Sequence, residues 1–308
     1  MDPQQQLTVL AASVVRDALT AAGVAEVSFD PPGPSASIIA LRANGEAGLL
    51  AAAALYDATS DGETLARKVA LEERLHAYGA RDVVLWTPPG ARLPDDADAT
   101  ASQVAEVARG LEPGQRGEVA FQVQVGIRKT GDDGSYMSVL GGLSQHWARF
   151  TNQVMGQYQL DSTAIHRLPD GEAAVTQMVD FLVLVANGLR KEGAATTVNA
   201  EDTWALQRVE GLEEPIVICA PPAEHADGRT VRRLLRQALR EAAAAMDDAG
   251  SSAFRIGALA TLAPGVEREL ATTALRGLDP TLLAGWDYLP LLVDGQVKSL
   301  FGPMPPLA

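Results

Sequence analysis

Residues 118–140 read EVAFQVQVGIRKTGDDGSYMSVL, and this stretch carries the clearest strand pattern in the chain. Apolar side chains alternate along it on one face, at Val119, Phe121, Val123, Val125 and Ile127. Polar side chains fall on the other face, at Glu118, Gln122, Gln124 and Arg128. Such alternation is typical of a strand with one buried and one solvated face. The turn sequence TGDDG follows and SYMSVL returns as a second arm, so the pattern predicts an antiparallel β-hairpin.

The residues before the hairpin indicate a small α/β unit. The spacing of apolar residues predicts helices over 5–22 and 48–58, and a third from the SDGE sequence to about Tyr78. The short runs AEVSFD, SIIALRA and RDVVLWTPPG predict strands that end at Gly- or Pro-containing turns. A further helix is predicted over 101–111, after the polar segment LPDDADATASQ.

The residues after the hairpin also alternate between helix and strand patterns. A long helix is predicted with Asp170 as its N-cap and Gly188 or Gly193 at its end, and an amphipathic helix in DGRTVRRLLRQALREAAAAMDDAG. TTVNAEDTWALQRVEG predicts one or two strands, EPIVICAPP a buried strand and FRIGALATL another. A helix over 265–276 and a closing strand pair that turns at Asp294 and Gly295 complete the chain.

This order of elements predicts an α/β or α+β fold, with mixed sheets flanked by helices and a central antiparallel β-hairpin. A length of 308 residues is natural for more than one domain. We predict an N-terminal α/β domain over 1–112, a central hairpin-helix region over 113–169 and a C-terminal α/β domain over 170–308. The EPGQRG sequence near residue 113 marks the first boundary.

The charge of the chain is strongly acidic. It has 39 acidic and 25 basic side chains and a net charge of −14. Such a field repels a phosphate backbone at long range, so nucleic acid is an unlikely partner unless a local basic patch overrules the average.

The single cysteine and the N-terminus indicate the compartment. Cys219 has no intrachain partner, which fits a reducing cytoplasm, and the apolar run PIVICAPP around it predicts a buried thiol. No basic segment precedes the first apolar run, unlike in a signal peptide. The longest apolar runs fall short of the ~20 residues that span a bilayer. We therefore expect a cytoplasmic protein that does not insert into a membrane.

Several catalytic and cofactor signatures are missing from the chain. It contains no G-x-x-x-x-G-K-[ST], no G-x-G-x-x-G, no H-E-x-x-H, no G-x-S-x-G and no pair of cysteines. Each of these motifs acts only when its residues stand at the given spacing in the sequence. We therefore expect no cofactor and no metal site, and the sequence leaves open whether the protein is an enzyme.

The densest set of polar residues lies in 141–169, GGLSQHWARFTNQVMGQYQLDSTAIHRLP. Its candidate ligand-binding residues are His146, Arg149, Asp161 and His166. Histidine titrates near neutrality, so this set could transfer protons or hold a metal. The alternative is a packing role, in which the apolar and aromatic residues turn inward and the histidines make ordinary hydrogen bonds. Those inward residues would be Trp147, Phe150, Tyr158, Leu160 and Ile165.

A second candidate is an arginine face on the helix predicted after residue 227. Its residues recur three and four apart and are Arg229, Arg232, Arg233, Arg236 and Arg240. This face is positively charged, in a chain whose net charge is negative. The candidates for binding an anion are Arg232, Arg233, Arg236 and Arg240. The alternative is a solvated helix face paired with Glu241 and other acids.

The order of elements over 170–262 is helix, two or three strands, helix and strand. That order resembles the core of restriction-endonuclease-like nucleases. The resemblance implies a metal site formed by an acidic residue and an Asp/Glu-x-Lys sequence. Glu201 and Asp202 could supply carboxylates, but Gln207 or Arg208 would stand in place of the lysine. No lysine in the chain has an acid two residues before it, so an active nuclease is not favoured.

The polar face of the predicted hairpin offers a surface for association. It presents Gln122, Gln124, Arg128 and Tyr136, which could pair with a second subunit or cover the other domain. Because an open sheet edge invites association, we expect a homodimer. With no complete catalytic signature, the favoured hypothesis is a non-catalytic protein that acts by binding or assembly. The alternatives are a nucleic-acid-processing protein with a degenerate nuclease-like C-terminal domain, and a small-molecule enzyme that uses residues between His146 and His166.

Overall fold

The structure is a computed structural model of the 308-residue chain. It describes residues 10, 12–13, 15–17, 19–20, 28–29, 38–43, 46–55, 62–88, 90–219, 228–249, 255–261, 268–293 and 296–302. The helices are α1 (Gly62–Ala77), α2 (Ala97–Arg109), α3 (Trp147–Thr151), α4 (Glu172–Gly188), α5 (Gly228–Ala249) and α6 (Arg268–Arg276). The strands are β1 (Ser28–Phe29), β2 (Ile38–Ala43), β3 (Glu46–Leu55), β4 (Val83–Trp86), β5 (Arg116–Gly131), β6 (Ser135–Gly141), β7 (Gly156–Ser162), β8 (Ala195–Arg208), β9 (Ile216–Ile218), β10 (Arg255–Thr261), β11 (Leu289–Val293) and β12 (Gln296–Phe301).

The chain forms two compact units. The central unit is Glu118–Trp204, and the terminal unit combines Met1–Gly117 with Ala205–Ala308. Strands β5 and β8 carry the chain from one unit to the other, because each contains a boundary between them. The division of the chain at residues 112 and 169 stays a prediction.

The sheet of the central unit has the strand order β6-β7-β5-β8. Strands β5 and β7 are antiparallel, with Gly126 opposite Asp161 and Arg128 opposite Gln159. Strand β6 pairs parallel with β7 and does not neighbour β5. The predicted antiparallel hairpin between 118–131 and 135–140 is therefore wrong, although both of its arms are strands.

The burial of the two strands accounts for this order. In β7, Tyr158, Leu160 and Ser162 are each at most 1 % exposed, so its inner face needs neighbours on both sides. In β6 only Met137 is buried to this degree, and Tyr136 and Leu140 are exposed, as is usual for an edge strand. The strand with the larger buried face therefore takes the central position, between the two arms of the predicted hairpin.

The predicted division of β5 into two faces is confirmed. Val119, Val125 and Ile127 are buried, and the exposed side chains on the other face are Gln122, Gln124 and Arg128. The inner face packs on α4, which contributes Val175, Val179 and Leu182 to the same core. The predicted long helix begins at Glu172 and ends at Gly188, with Gly171 and not Asp170 at its N-cap position.

Lys129 is a charged residue on the inner face of the sheet. It is 7 % exposed, and its ammonium group forms an ion pair with Asp132 at 2.5 Å and lies over the Tyr158 ring. The hydrogen bond to Asp132 raises the pKa of Lys129 above its ordinary value. The long alkyl chain thus fills the end of the core while its charge stays paired.

The terminal unit contains a six-stranded sheet of order β1-β2-β3-β10-β11-β12. The alanine-rich run from 46 to 55 forms β3, which pairs antiparallel with β2 and parallel with β10. The predicted helix over 48–58 is therefore wrong within the described residues. Alanine favours a helix in isolation, but pairing along both edges of β3 outweighs that weak propensity.

The terminal unit also contains β4, which pairs antiparallel with the end of β8 and parallel with β9. Helix α1 is joined to β9 through Glu72, whose carboxylate accepts a hydrogen bond from the Val217 N–H at 2.8 Å. The helix predicted over 101–111 begins earlier, at Ala97, because the Asp96 side chain caps it by accepting a hydrogen bond from the Ala99 N–H.

The closing strands and the amphipathic helix agree with prediction. Strands β11 and β12 form an antiparallel pair, while the predicted turn at Asp294 and Gly295 lies outside the described residues. Helix α5 buries Val231, Leu235, Ala238, Leu239 and Ala242 against α6 and the adjoining segment.

The strands whose order along the chain resembles the nuclease core do not lie in one sheet. Strand β9 pairs with β4, whereas β10 lies between β3 and β11 in the other sheet. Parallel and antiparallel pairs occur in both sheets, with helices packed beside them, which confirms the α/β or α+β fold class. In the part of the chain that the structure describes, no helix combines the length and hydropathy that crossing a membrane requires.

Candidate functional site

Arg149, Asp161 and His166, three of the four candidate residues in 141–169, have separate partners in the structure. His146 ends a 3₁₀ turn, Ser144–His146, and Arg149 lies in α3. The guanidinium of Arg149 donates to the Thr176 hydroxyl at 3.1 Å and pairs with Glu172 at 3.5 Å. Arg149 therefore holds α3 against the first turns of α4.

His166 is held by a buried carboxylate. Asp202, whose side chain is 4 % exposed, lies 3.0 Å from Nδ1 of His166 and accepts hydrogen bonds from the N–H groups of His166 and Arg167 at 2.8 and 2.9 Å. It also accepts one from Trp204 Nε1 at 2.9 Å. Four donors on one carboxylate satisfy a buried charge, and they fasten the loop after β7 to β8.

Asp161 lies on the solvated face of β7. Its carboxylate accepts hydrogen bonds from the hydroxyl and the N–H of Thr163, at 2.7 and 3.1 Å. These bonds lower the pKa of Asp161 below its ordinary value, because they favour the charged form. Asp161 is therefore ionised at neutral pH.

The structure does not combine these residues into one metal site. Among the described residues, no group of three or more His, Cys, Asp and Glu side chains could hold a metal ion. The packing alternative is right for four of its five residues, because Phe150, Tyr158, Leu160 and Ile165 are at most 1 % exposed. It is wrong for Trp147, which is 53 % exposed.

A concave space opens on the solvated face of the central sheet. It has a volume of about 460 Å³ and spans β7, β5 and the start of β8. The polar and backbone groups around it belong to Gly126, Arg128, Gln159, Asp161, Thr196 and Thr197. We call this space the Gly126 hollow, because Gly126 lies on the middle strand at its floor.

Strand register explains why the hollow exists. Gly126 faces Asp161 across β5 and β7, so one side of that pair has no side chain. A Cβ atom on Gly126 would meet only the Cβ of Asp161, at 3.8 Å. Arg128, two residues further along, is exposed and makes no ion pair with any other residue that the structure describes. The rim of the hollow therefore has a charged carboxylate and a guanidinium that no described residue pairs with.

The arginine face of α5 is partly a surface and partly a packing contact. Arg233, Arg236 and Arg240 are exposed beside a shallow space of about 440 Å³. Arg232 is half-buried, and its guanidinium lies against Gly277, which leaves no room for a Cβ there. Arg240 lies near Asp279, whose pKa is lowered mainly by hydrogen bonds from Thr281 and further by this arginine. Anion binding on this face stays a prediction.

Cys219 is buried, as predicted, and is 4 % exposed. Burial raises the pKa of its thiol to about 11, because a thiolate is poorly solvated in an apolar setting. The thiol is therefore protonated at neutral pH and is not a nucleophile.

Sequence reasoning missed Gly126, Gln159, Thr196 and Thr197 as members of a possible site. Alternation along β5 indicated that Gln122 and Arg128 face solvent, but not which residues of a neighbouring strand lie beside them. The signal that could have identified the hollow is a glycine in the solvated row of a strand otherwise rich in long polar side chains.

Searches for similar proteins found no matching family model, no matching curated protein and no matching solved structure.

Proposed function

We propose that this protein has a non-catalytic binding role and that a small polar ligand occupies the Gly126 hollow. The observation that carries the proposal is a concave space of about 460 Å³ with a carboxylate and a guanidinium on its rim, the guanidinium having no ion-pair partner among the described residues. Its volume lies within the range of roughly 300–1,000 Å³ that is usual for small-ligand sites.

The charges of the rim suggest the chemistry of the ligand. Arg128 can bind a carboxylate through two parallel hydrogen bonds, and Asp161 can accept hydrogen bonds from an ammonium group. Gln159 and the two threonine hydroxyls offer neutral donors and acceptors between them. A small zwitterion such as a free amino acid satisfies both charges at once, whereas a simple anion would be repelled by Asp161.

Calorimetric titration of the full chain with each of the free amino acids tests this proposal. We expect at least one to bind with a dissociation constant below about 1 mM. Gly126→Val should abolish the heat of binding, since the new side chain fills the floor of the hollow and valine is well suited to a strand. Arg128→Gln should weaken binding at least about tenfold by removing the charge.

The matched control is Gln124→Val, which introduces the same side chain on the same face of β5, two residues from Gly126. It should leave binding unchanged, because Gln124 does not line the hollow. If no free amino acid binds the wild-type chain, or if Gln124→Val reduces binding as much as Gly126→Val, the proposed role of the hollow is wrong.

A second candidate is acid–base chemistry at His166, and the contact with Asp202 favours it. The carboxylate fixes the ring through Nδ1, which leaves Nε2 as the remaining ring nitrogen for proton transfer. Hydrolysis of p-nitrophenyl acetate by the wild type, His166→Gln and His146→Gln tests this candidate. Loss of hydrolysis in His166→Gln alone supports it, and equal rates in the two variants contradict it.

A further inference from the structure

Helix α5 carries a straight row of exposed arginines. They recur at intervals of four, three and four residues and are Arg229, Arg233, Arg236 and Arg240. At 3.6 residues per turn, these positions lie within about 60° of one another around the helix axis and extend for about 16 Å along it. Arg232 does not belong to this row, because it is half-buried against Gly277. We call the four exposed arginines the α5 row.

The α5 row lies on the far side of the helix from the core. The buried residues of α5 pack on α6 and the segment after it, and are Val231, Leu235, Ala238, Leu239 and Ala242. The core therefore holds the helix in place, and the row keeps a fixed spacing along it. Because the row follows the outermost line of a helix, a single small anion cannot contact all four guanidinium groups. The row fits an extended partner.

The positive charge of the row is not neutralised by the residues around it. Within the described ranges, no acidic residue forms an ion pair with these arginines. Glu241, which flanks the row, accepts a hydrogen bond from Gln237 at 2.9 Å. Asp279 lies near Arg240, but its carboxylate accepts a hydrogen bond from the Thr281 N–H at 3.0 Å. The row therefore attracts a negatively charged partner.

Two kinds of anionic partner fit the row poorly. Duplex DNA carries one charge every ~1.7 Å, and the net charge of −14 on this chain repels so dense a polyanion. A lipid surface binds basic helices that also insert large apolar side chains, and none of the exposed large apolar side chains of the described residues belongs to α5. A protein segment with a few regularly spaced carboxylates is repelled less and needs no apolar insertion.

A second copy of this chain is not favoured at the row either. Contact between two rows would set positive charges beside positive charges, which opposes association. The homodimer expected from the solvated sheet face concerns a different surface and stays a prediction.

The spacing of the row favours a helical partner over an extended one. Carboxylates at intervals of four, three and four on a partner helix span the same ~16 Å as the row, so each can face one guanidinium. On a β-strand, residues of one face recur every ~6.7 Å, so four of them span about 20 Å and do not match the row. Each matched guanidinium can bind a carboxylate through two parallel hydrogen bonds.

We propose that the α5 row docks an acidic α-helix of another protein, whose carboxylates recur at intervals of four, three and four residues. Clustered arginines are a recurrent means of recognising acidic protein segments. The proposal does not depend on the Gly126 hollow, because no residue of the row lines that space.

Fluorescence anisotropy of a labelled peptide mixed with the full chain tests the proposal. The probe is an alanine-based helical peptide with four glutamates at intervals of four, three and four. At about 20 mM salt we expect a dissociation constant below about 1 mM, a modest value because exposed ion pairs are individually weak. At about 150 mM salt the binding should weaken at least about threefold, since salt screens exposed charges.

A second peptide tests whether the spacing matters. It has the same composition, but its four glutamates lie five residues apart, which distributes them around the helix. It should bind the full chain at least about fivefold more weakly than the first peptide, because no more than two of its glutamates can face the row at once.

A pair of double variants tests the location of the site. Arg233→Glu combined with Arg240→Glu should weaken binding of the first peptide at least about tenfold, because it reverses two of the four charges. The matched control combines Arg92→Glu with Arg109→Glu, which changes the net charge equally at two exposed arginines outside α5. The control should bind within about twofold of the wild type.

Four results would overturn the proposal. The first is no binding of the first peptide by about 1 mM of the wild-type chain. The second is equal binding of the two peptides, which would show attraction to charge without a preference for the spacing. The third is an equal loss of binding in the two double variants. The fourth is tighter binding of an oligothymidylate, or of vesicles that contain phosphatidylserine, than of the first peptide, with loss of that binding in the variant of the row.

Discussion

The carboxylate of Asp202 lies 3.0 Å from Nδ1 of His166, although 36 residues separate the two in the chain. The same carboxylate binds two backbone N–H groups and the Trp204 indole, so it satisfies donors from a loop and a strand at once. A neutral side chain of similar size has fewer acceptor sites than these four donors need. The contact therefore fixes the loop after β7, and it orients the histidine as a consequence.

Removal of this carboxylate should destabilise the central unit. In Asp202→Ala the four donors lose their acceptor in a buried place, so we expect the free energy of unfolding to fall by about 2–4 kcal/mol. Urea denaturation followed by circular dichroism measures the change. The control is Glu201→Ala, the exposed neighbour that contacts Gln122 at 3.3 Å, which should cost less than about 0.5 kcal/mol. Equal stability of the two variants would show that Asp202 is not an anchor.

Two glycines of the central unit allow backbone strain to be separated from steric overlap. Gly141 and Gly134 both have positive φ, +85° and +77°. A Cβ atom on Gly134 meets nothing within 4 Å, while one on Gly141 overlaps the backbone of Ser162. Gly134→Ala should therefore cost only the strain, about 1 kcal/mol, and Gly141→Ala about 3 kcal/mol or more. Similar thermal unfolding of the two variants would contradict the close packing of β6 on β7.

The sequence predicts individual elements better than their neighbours in the sheet. The alternation in β5 reflects local exposure, so the solvated and buried faces of that strand are predicted correctly. Whether β6 pairs with β5 depends on the burial of β7, which lies later in the chain. In the same way, the alanine-rich run of β3 has helical propensity alone and becomes a strand only because β2 and β10 flank it.

The candidate site shows the same limit. Arg128 and Asp161 are recognisable as exposed charges, but their shared hollow depends on the register that places Asp161 opposite Gly126. Asp202 was recognisable only as a carboxylate near a strand, because its donors come from a distant loop. Long-range register and loop contacts are set by packing of the whole unit, and single-residue patterns do not contain them.

The charge state of Asp161 should depend on Thr163. Thr163→Val removes the hydroxyl donor and keeps the N–H donor, so the pKa of Asp161 should rise toward its ordinary value. Because the native pKa is lowered, the hydrogen bonds stabilise the fold above the unfolded pKa, and this effect is lost as the pH falls through the folded pKa. NMR titration of the Asp161 carboxyl carbon measures the shift.

Thr197→Val is the control for this titration, because Thr197 lines the same hollow but does not donate to Asp161. It should leave the pKa of Asp161 unchanged. An equal rise in both variants would assign the lowered pKa to the general environment of the hollow and not to the Thr163 hydrogen bonds.

Cys219 should be unreactive in the folded protein and should make stability depend on alkaline pH. Its pKa is raised to about 11 by burial, so in the folded state the thiol keeps its proton after the unfolded chain has lost it near pH 8.5. The unfolded state then binds fewer protons, and the free energy of unfolding falls as the pH rises from about 9 toward 11.

We expect no reaction with Ellman's reagent at about pH 8 until urea unfolds the chain. Cys219→Ala should show a smaller loss of stability over the same alkaline range, since tyrosine and lysine titrations are common to both proteins. Rapid labelling of the folded wild type, or identical pH dependence in the two proteins, would contradict a buried, protonated thiol.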